Sequence, residues 1–170
     1  MTQKTIFTLG YEKLSMVDFI RIVKDKEIMQ VVDIRAKNAV TKGRGRFTPE
    51  QLSDILTNVS VKYVYLPEAG IPQTILKLPG GNGHFTDFCR EYKSVTSADK
   101  NLAKRIKELF SEGQVLILGY EEDVNTSHRL PFSEIVISVL GMGFQIQHLS
   151  SKDLKPIVIP PPEPPVVTKD

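Results

Sequence analysis

The sequence predicts an α/β protein of three layers, with a mainly parallel five-stranded sheet covered by helices. Three observations lead there. Five short apolar runs alternate with segments of helical period, a pattern that folds into parallel strands joined by crossover helices. The runs carry apolar residues on both faces: in Val61 to Leu66, Val61, Tyr63 and Tyr65 share one face while Val64 and Leu66 share the other, as a sheet covered on two sides requires. Finally, Leu9-Gly10-Tyr11-Glu12 returns as Leu118-Gly119-Tyr120-Glu121, each time after a strand run and before a helix, which suggests two equivalent loops at one edge of the sheet.

The elements follow in order. Thr5 to Leu9 reads as the first strand, ended by Gly10. Ser15 caps a helix with Asp18 three residues on, Leu14 and Phe19 form its hydrophobic staple, and Val17, Ile20 and Val23 give its buried stripe. Gln30 to Ile34 is the second strand, with Asp33 interrupting the apolar run near its carboxyl end. Arg35 to Arg46 carries five basic residues and no acid. Phe47-Thr48-Pro49-Glu50-Gln51-Leu52 is a dense helix-start signal: a Thr48 cap, Pro49 in the first turn, Gln51 closing the box. Val61 to Leu66 is the third strand, and Pro67 to Gly83 a surface excursion rich in proline and glycine. A helix is expected over Phe85 to Tyr92, and a stronger one from a Ser97 cap to a Gly113 stop. Val115 to Leu118 is a fourth, buried strand. A helix from about His128 to Leu140 follows, tolerating Pro131 in its first turn, and Phe144 to Leu149 is the last strand. The resulting order is Rossmann-like or rhodanese-like.

At 170 residues the chain is most simply one domain, 1–152, followed by a proline-rich tail, 153–170. Six of the eleven prolines fall in Lys155 to Asp170, favouring polyproline II, with PxxP at Pro161 to Pro164 as a partner motif or plain linker. A net charge of +2 is too small to argue for nucleic acid on global grounds. No apolar run is long enough to span a membrane. A single cysteine, Cys89, excludes an internal disulfide and a multi-cysteine metal site. The N-terminus enters a strand with no leader-like segment, so a cytoplasmic location is expected.

The stretch from Val115 to Arg129 holds the strongest chemical signal. In open α/β sheets ligands sit beyond the carboxyl ends of strands, and the following helix offers unpaired N–H groups and positive dipole charge there. Arg129 adds a forked donor suited to phosphate or carboxylate, with Ser127 beside it. Arg35, at the end of the second strand, and Arg46, in the basic loop, complete the expected anion-binding set. Asp33, Glu121 and His128 are the candidate catalytic groups. Each has a plainer reading: Arg129 in an ion pair with Glu121 or Asp123, Arg35 paired with Asp33, His128 as a capping-turn side chain, the basic loop as a solvated face. Tyr11, Glu12 and Glu68 are secondary candidates, Glu12 because it can face Glu121 across the paired loops. No histidine, cysteine or carboxylate spacing marks a metal site.

Together these residues resemble the domain-of-unknown-function 488 family over most of residues 5 to 149. Gly10-Tyr11-Glu12 after the first strand, Val32-Asp33-Ile34-Arg35, and Arg46-Phe47 look like its opening, second strand end and basic loop. Tyr63-x-Tyr65-Leu66-Pro67-Glu68-x-Gly70 and Phe85-x-Asp87-Phe88 follow it as well. Glu121, Asp123, His128 and Arg129 fall on its C-x-E-x-D-x-x-x-C-H-R signature, with Gly119 and Ser127 in place of the two cysteines. The resemblance implies a compact α/β fold, and it implies that any thiol chemistry of relatives is missing here. A second likeness, to rhodanese-like domains and cysteine phosphatases, fails at the nucleophile, since Gly119 stands where their cysteine follows the strand.

The expected function is a crevice for a phosphate-bearing small molecule or nucleotide, with cofactors undetermined. Two other classes remain open: a nucleic-acid or protein-binding module without catalysis, and a metal-assisted hydrolase using Glu12, Glu121 and Asp123.

Overall fold

A computed structural model of the chain describes residues 3–36, 47–76, 84–111 and 113–156. The order is β1 (Lys4–Gly10), α1 (Met16–Asp25), β2 (Gln30–Asp33), α2 (Pro49–Asn58), β3 (Lys62–Tyr65), α3 (Gln73–Leu76), α4 (Phe85–Ser97), α5 (Lys100–Phe110), β4 (Val115–Gly119), α6 (Arg129–Leu140) and β5 (Phe144–Leu149). Short 3-10 turns sit at Pro67–Ala69, Val124–Thr126 and Ser151–Asp153. All strand pairs are parallel, in the order β3-β2-β4-β1-β5. The predicted three-layer α/β class is the observed one.

Residues alternate along the strands between two cores. Phe7 and Leu9 of β1, Val31 of β2, and Leu116 and Leu118 of β4 pack with Phe19, Ile22 and Val23 of α1 and Leu52 and Leu56 of α2. Their neighbours Ile6, Val32, Val115 and Ile117 meet Tyr92 of α4, Leu102, Ile106 and Phe110 of α5, and Phe132, Ile135 and Val136 of α6. A strand residue therefore chooses its helical layer by parity.

The local signals explain most element ends. Ser15 accepts a hydrogen bond from the Asp18 N–H, and the Thr48–Gln51 capping box is complete. Two expectations change. The buried stripe of α1 is Phe19, Ile22 and Val23, while Val17 is 70% exposed; residues three and four apart share a face, and Val17 lies off it. The cap of α5 is Asp99, whose carboxylate accepts from Asn101 N–H and Leu102 N–H, because α4 continues through Ser97. The Pro67–Gly83 excursion contains a 3-10 turn and α3, and its residues 77–83 lie outside the described ones. So do residues 37–46 of the basic loop and residues 157–170 of the proline-rich segment.

Topology fixes where the strand ends meet. β1 and β2 send the chain to α1 and α2 on one face of the sheet, whereas β4, lying between them, sends it to α6 on the other. Loops diverging to opposite faces leave a crevice at the carboxyl edge, here on both sides of β4. The repeated tetrapeptides are neighbours in exact register, Leu9 beside Leu118 and Gly10 beside Gly119.

Removing the capping hydroxyl by Thr48→Ala costs about 1 kcal/mol in urea denaturation, while Val17→Ala stays within about 0.5 kcal/mol of wild type.

Candidate functional site

A small hollow occupies the carboxyl edge. Tyr11 enters from the loop after β1, Arg35 and Ala36 from the loop after β2, and Tyr120 and Glu121 from the loop after β4; His128 and Ile71 complete the wall. The enclosed space is about 60 Å³. That is room for a few waters or one compact group, well below the several hundred Å³ that enclose a whole drug-sized ligand.

Asp33 and Arg35 are both buried and joined to each other. Arg35 Nη2 donates to Asp33 Oδ2 at 2.6 Å and Nε to Oδ1 at 2.9 Å, while Nη1 donates to the Tyr11 hydroxyl and the Phe47 carbonyl, each at 2.7 Å. The Tyr63 hydroxyl donates to Asp33 Oδ2 at 2.8 Å. Burial opposes the Arg35 charge, but the hydrogen bonds and charge of Asp33 outweigh it and hold the guanidinium firmly protonated. The Tyr11 ring is stacked on Phe47 at 4.3 Å and lies 5.1 Å from the Arg35 guanidinium carbon. Burial raises the pKa of Tyr11 above that of an ordinary phenol.

Arg129 does not line the hollow. It is completely buried behind it, with Nη1 donating to Thr8 Oγ1 at 3.1 Å and Nη2 to the carbonyls of Glu121 and Glu122 at 2.6 and 3.1 Å. Burial pushes its pKa down to about 10, against the pull of Glu121 and Asp123. The two glycines of the repeat make room for it. A Cβ on Gly119 would lie 2.7 Å from Arg129 Cδ, and one on Gly10 would lie 1.7 Å from the Glu121 carbonyl oxygen. The expected two-arginine clamp is thus divided: Arg35 is on the wall, and Arg129 holds the β4 loop from within.

The signature loop is internally braced. Ser127 Oγ donates to Glu121 Oε2 at 3.1 Å and accepts from the Arg129 N–H. His128 is 6% exposed, and its Nε2 lies 3.0 Å from the Ile34 carbonyl. A carbonyl only accepts, so Nε2 carries the proton. Nδ1 is buried with no partner among the described residues. Burial lowers the pKa of His128, opposed by the Ile34 hydrogen bond and Glu121 and reinforced by Arg129.

The remaining candidates lie elsewhere. The Glu12 carboxylate accepts the Glu122 N–H at 3.1 Å, while that of Glu121 accepts from Ser127. Glu122 instead pairs with Lys13 and binds Ser151, and Asp123 caps the following 3-10 turn. Glu68 pairs at the surface with Arg105 at 2.8 Å. Arg46 falls outside the described residues. Among the described residues no group of three histidine, cysteine or acidic side chains is placed to hold a metal ion. No helix among them is long and apolar enough to cross a membrane. Sequence reasoning missed Thr8, Ala36, Ile71 and Tyr120. Tyr120 was signalled as the counterpart of Tyr11 in the repeat, and Thr8 as a polar residue within an apolar run.

The family model for the domain of unknown function DUF488 matches residues 15–136. The chain belongs to this family. No curated protein and no solved structure matches it significantly. In this DUF488 member both positions expected to carry cysteine have structural duties: Gly119 gives Arg129 its space, and Ser127 ties Glu121 to the start of α6.

Gly119→Ala is expected to destabilise the fold by about 2 kcal/mol or more in urea denaturation, because the added methyl meets a guanidinium chain that cannot withdraw without losing buried partners. The lowered pKa of His128 gives a second expectation. The unfolded imidazole gains its proton near pH 6.5 while the buried one resists, so stability falls as pH drops below about 6.5, by at most about 1.4 kcal/mol per pH unit for this group. Urea midpoints at about pH 7.5 and 5.5 should differ less in His128→Gln than in wild type.

Proposed function

We propose that the crevice at the carboxyl ends of β1, β2 and β4 is a ligand site that receives the terminal polar group of a phosphate-bearing small molecule. The observation that supports this most directly is the convergence of three strand-end loops on one hollow flanking β4, lined by Arg35, His128, Glu121 and two tyrosines. Its volume of about 60 Å³ suits a phosphate-sized group, so a nucleotide enters by its phosphate end only. In this reading Arg35, Tyr11, Glu121 and His128 touch the ligand. Asp33 orients Arg35, Ser127 orients Glu121, and Arg129 fixes the loop that carries both Glu121 and Tyr120.

The alternatives have less behind them. A nucleic-acid module would rest on the basic loop, whose residues 37–46 lie outside the described ones. Metal-assisted hydrolysis would require Glu12, Glu121 and Asp123 to converge, and their carboxylates have separate partners.

The test is a thermal-shift screen of ribose 5-phosphate, AMP, ADP and inorganic phosphate. A binder at a hundredfold excess over its Kd stabilises the fold by about 2.7 kcal/mol. The shift should disappear in Ile71→Trp, which fills the hollow from a half-buried wall position. A shift that survives Ile71→Trp places the ligand elsewhere.

A further inference from the structure

The two edges of the sheet are built differently. The β3 edge is four residues long and begins with exposed Lys62. The β5 edge, Phe144–Leu149, is six residues long and holds no proline, lysine, arginine or acidic residue. An open strand edge is a template for another strand, and proteins blunt edges that must stay single by shortening them or charging them. β3 carries both devices and β5 neither.

The register tells which backbone groups of β5 are open. Lys4 N–H donates to the Gly143 carbonyl, and Lys4, Ile6 and Thr8 lie beside Phe144, Ile146 and His148. In a parallel ladder a residue bonds the two neighbours of its partner, so β1 engages Gly143, Gln145, Gln147 and Leu149. The N–H and C=O groups of Phe144, Ile146 and His148 therefore point away from the sheet. Among the described residues only the Phe144 carbonyl is engaged, by the Gln3 side chain. The helix beside this edge is apolar off the core as well. Leu130 and Ile137 of α6 are half-buried and belong to neither core cluster, and their spacing of seven residues sets them on one face. Leu140 follows, and it, Phe144 and Ile146 pack against the rim of the core. Glu134, on the same helix, is paired with Lys93 at 2.6 Å, and Met142 between α6 and β5 is fully exposed.

We propose that β5 and α6 form the contact face for a second copy of this chain, with the two β5 strands antiparallel about a two-fold axis at Ile146. Two-fold pairing is the commonest closed symmetry and uses one patch on both copies. In this register Ile146 exchanges N–H···O bonds with Ile146 of the other copy, Phe144 meets His148, and Gln145 meets Gln147. Every outward backbone group of β5 finds a counterpart, and no charge meets a like charge. A foreign strand would cover the backbone edge but leave Leu130 and Ile137 bare, whereas a second copy brings its own α6 alongside. The His148 ring leaves the edge clear, since Nδ1 bonds Thr8 of its own sheet at 2.8 Å. The crevice at β1, β2 and β4 takes no part, so the pairing is independent of what binds there.

Sedimentation equilibrium of the full chain, from low to high micromolar concentration, should give a mass approaching twice 19.1 kDa. The urea midpoint should rise with concentration. A monomer throughout overturns the proposal. The double variant Gln145→Lys/Gln147→Lys sets lysine against lysine on exposed positions of β5 and should weaken the dimer by roughly tenfold or more. Mixing it with Gln145→Glu/Gln147→Glu, itself weakened, should restore a dimer of one chain of each kind, because every lysine then faces a glutamate. A folded lysine variant that pairs as tightly as wild type, or a mixture that stays monomeric, overturns the register and with it the interface. If the lysine variant does not fold, Ile137→Glu on the flank of α6 takes its place, and an undiminished dimer in that variant overturns the proposal.

Discussion

The buried cation of Arg129 organises the carboxyl edge of this sheet around β4. Moving a guanidinium out of water is expensive unless its donors are met; Arg129 meets those of its two terminal nitrogens with one strand hydroxyl and two loop carbonyls, while Nε is buried with no partner among the described residues. Those partners come from β1 and from the turn beyond β4, while the arginine itself opens α6. One side chain therefore ties the turn beyond β4 and the start of α6 to a strand 121 residues earlier. The arrangement is possible only because the adjacent strands end in paired glycines, so that backbone and guanidinium pack where two β-carbons would otherwise stand.

The second buried arginine works by a different balance. Arg35 lies with its carboxylate partner only two residues away, in a bidentate contact that also recruits Tyr11, Tyr63 and the end of the basic loop at Phe47. The pair contributes almost no net charge to the crevice, yet it sets the Tyr11 ring in place as a wall. A pocket can thus be lined by an arginine and still be electrically close to neutral. The rest of the wall is an imidazole, a carboxylate, two phenols and two apolar side chains.

Much of this was legible in the chain. Parity of apolar residues gave two covered faces, the cap signals at Ser15 and Thr48 gave helix starts, and the interruption of an apolar run by Asp33 marked the end of β2. The tetrapeptide echo suggested two matching loops at one edge, which the register of β1 and β4 now shows. The direction of each arginine was not legible. Arg35 and Arg129 look alike as isolated cations near strand ends, and only the space left by Gly10 and Gly119 sends one inward while Asp33 holds the other at the wall. Cap choice between Ser97 and Asp99 was likewise undecided until the length of α4 was known, because both residues are good caps.

The loop beyond β4 is also anchored at its outer side. Glu122 holds the backbone N–H and hydroxyl of Ser151, and Lys155 reaches back to Asp25 while its carbonyl accepts from Arg21. The strip leaving β5 is therefore strapped to the same turn that walls the hollow. Tension on the chain past Pro156 would be borne by α1 and by the Glu122 turn before it reached the sheet.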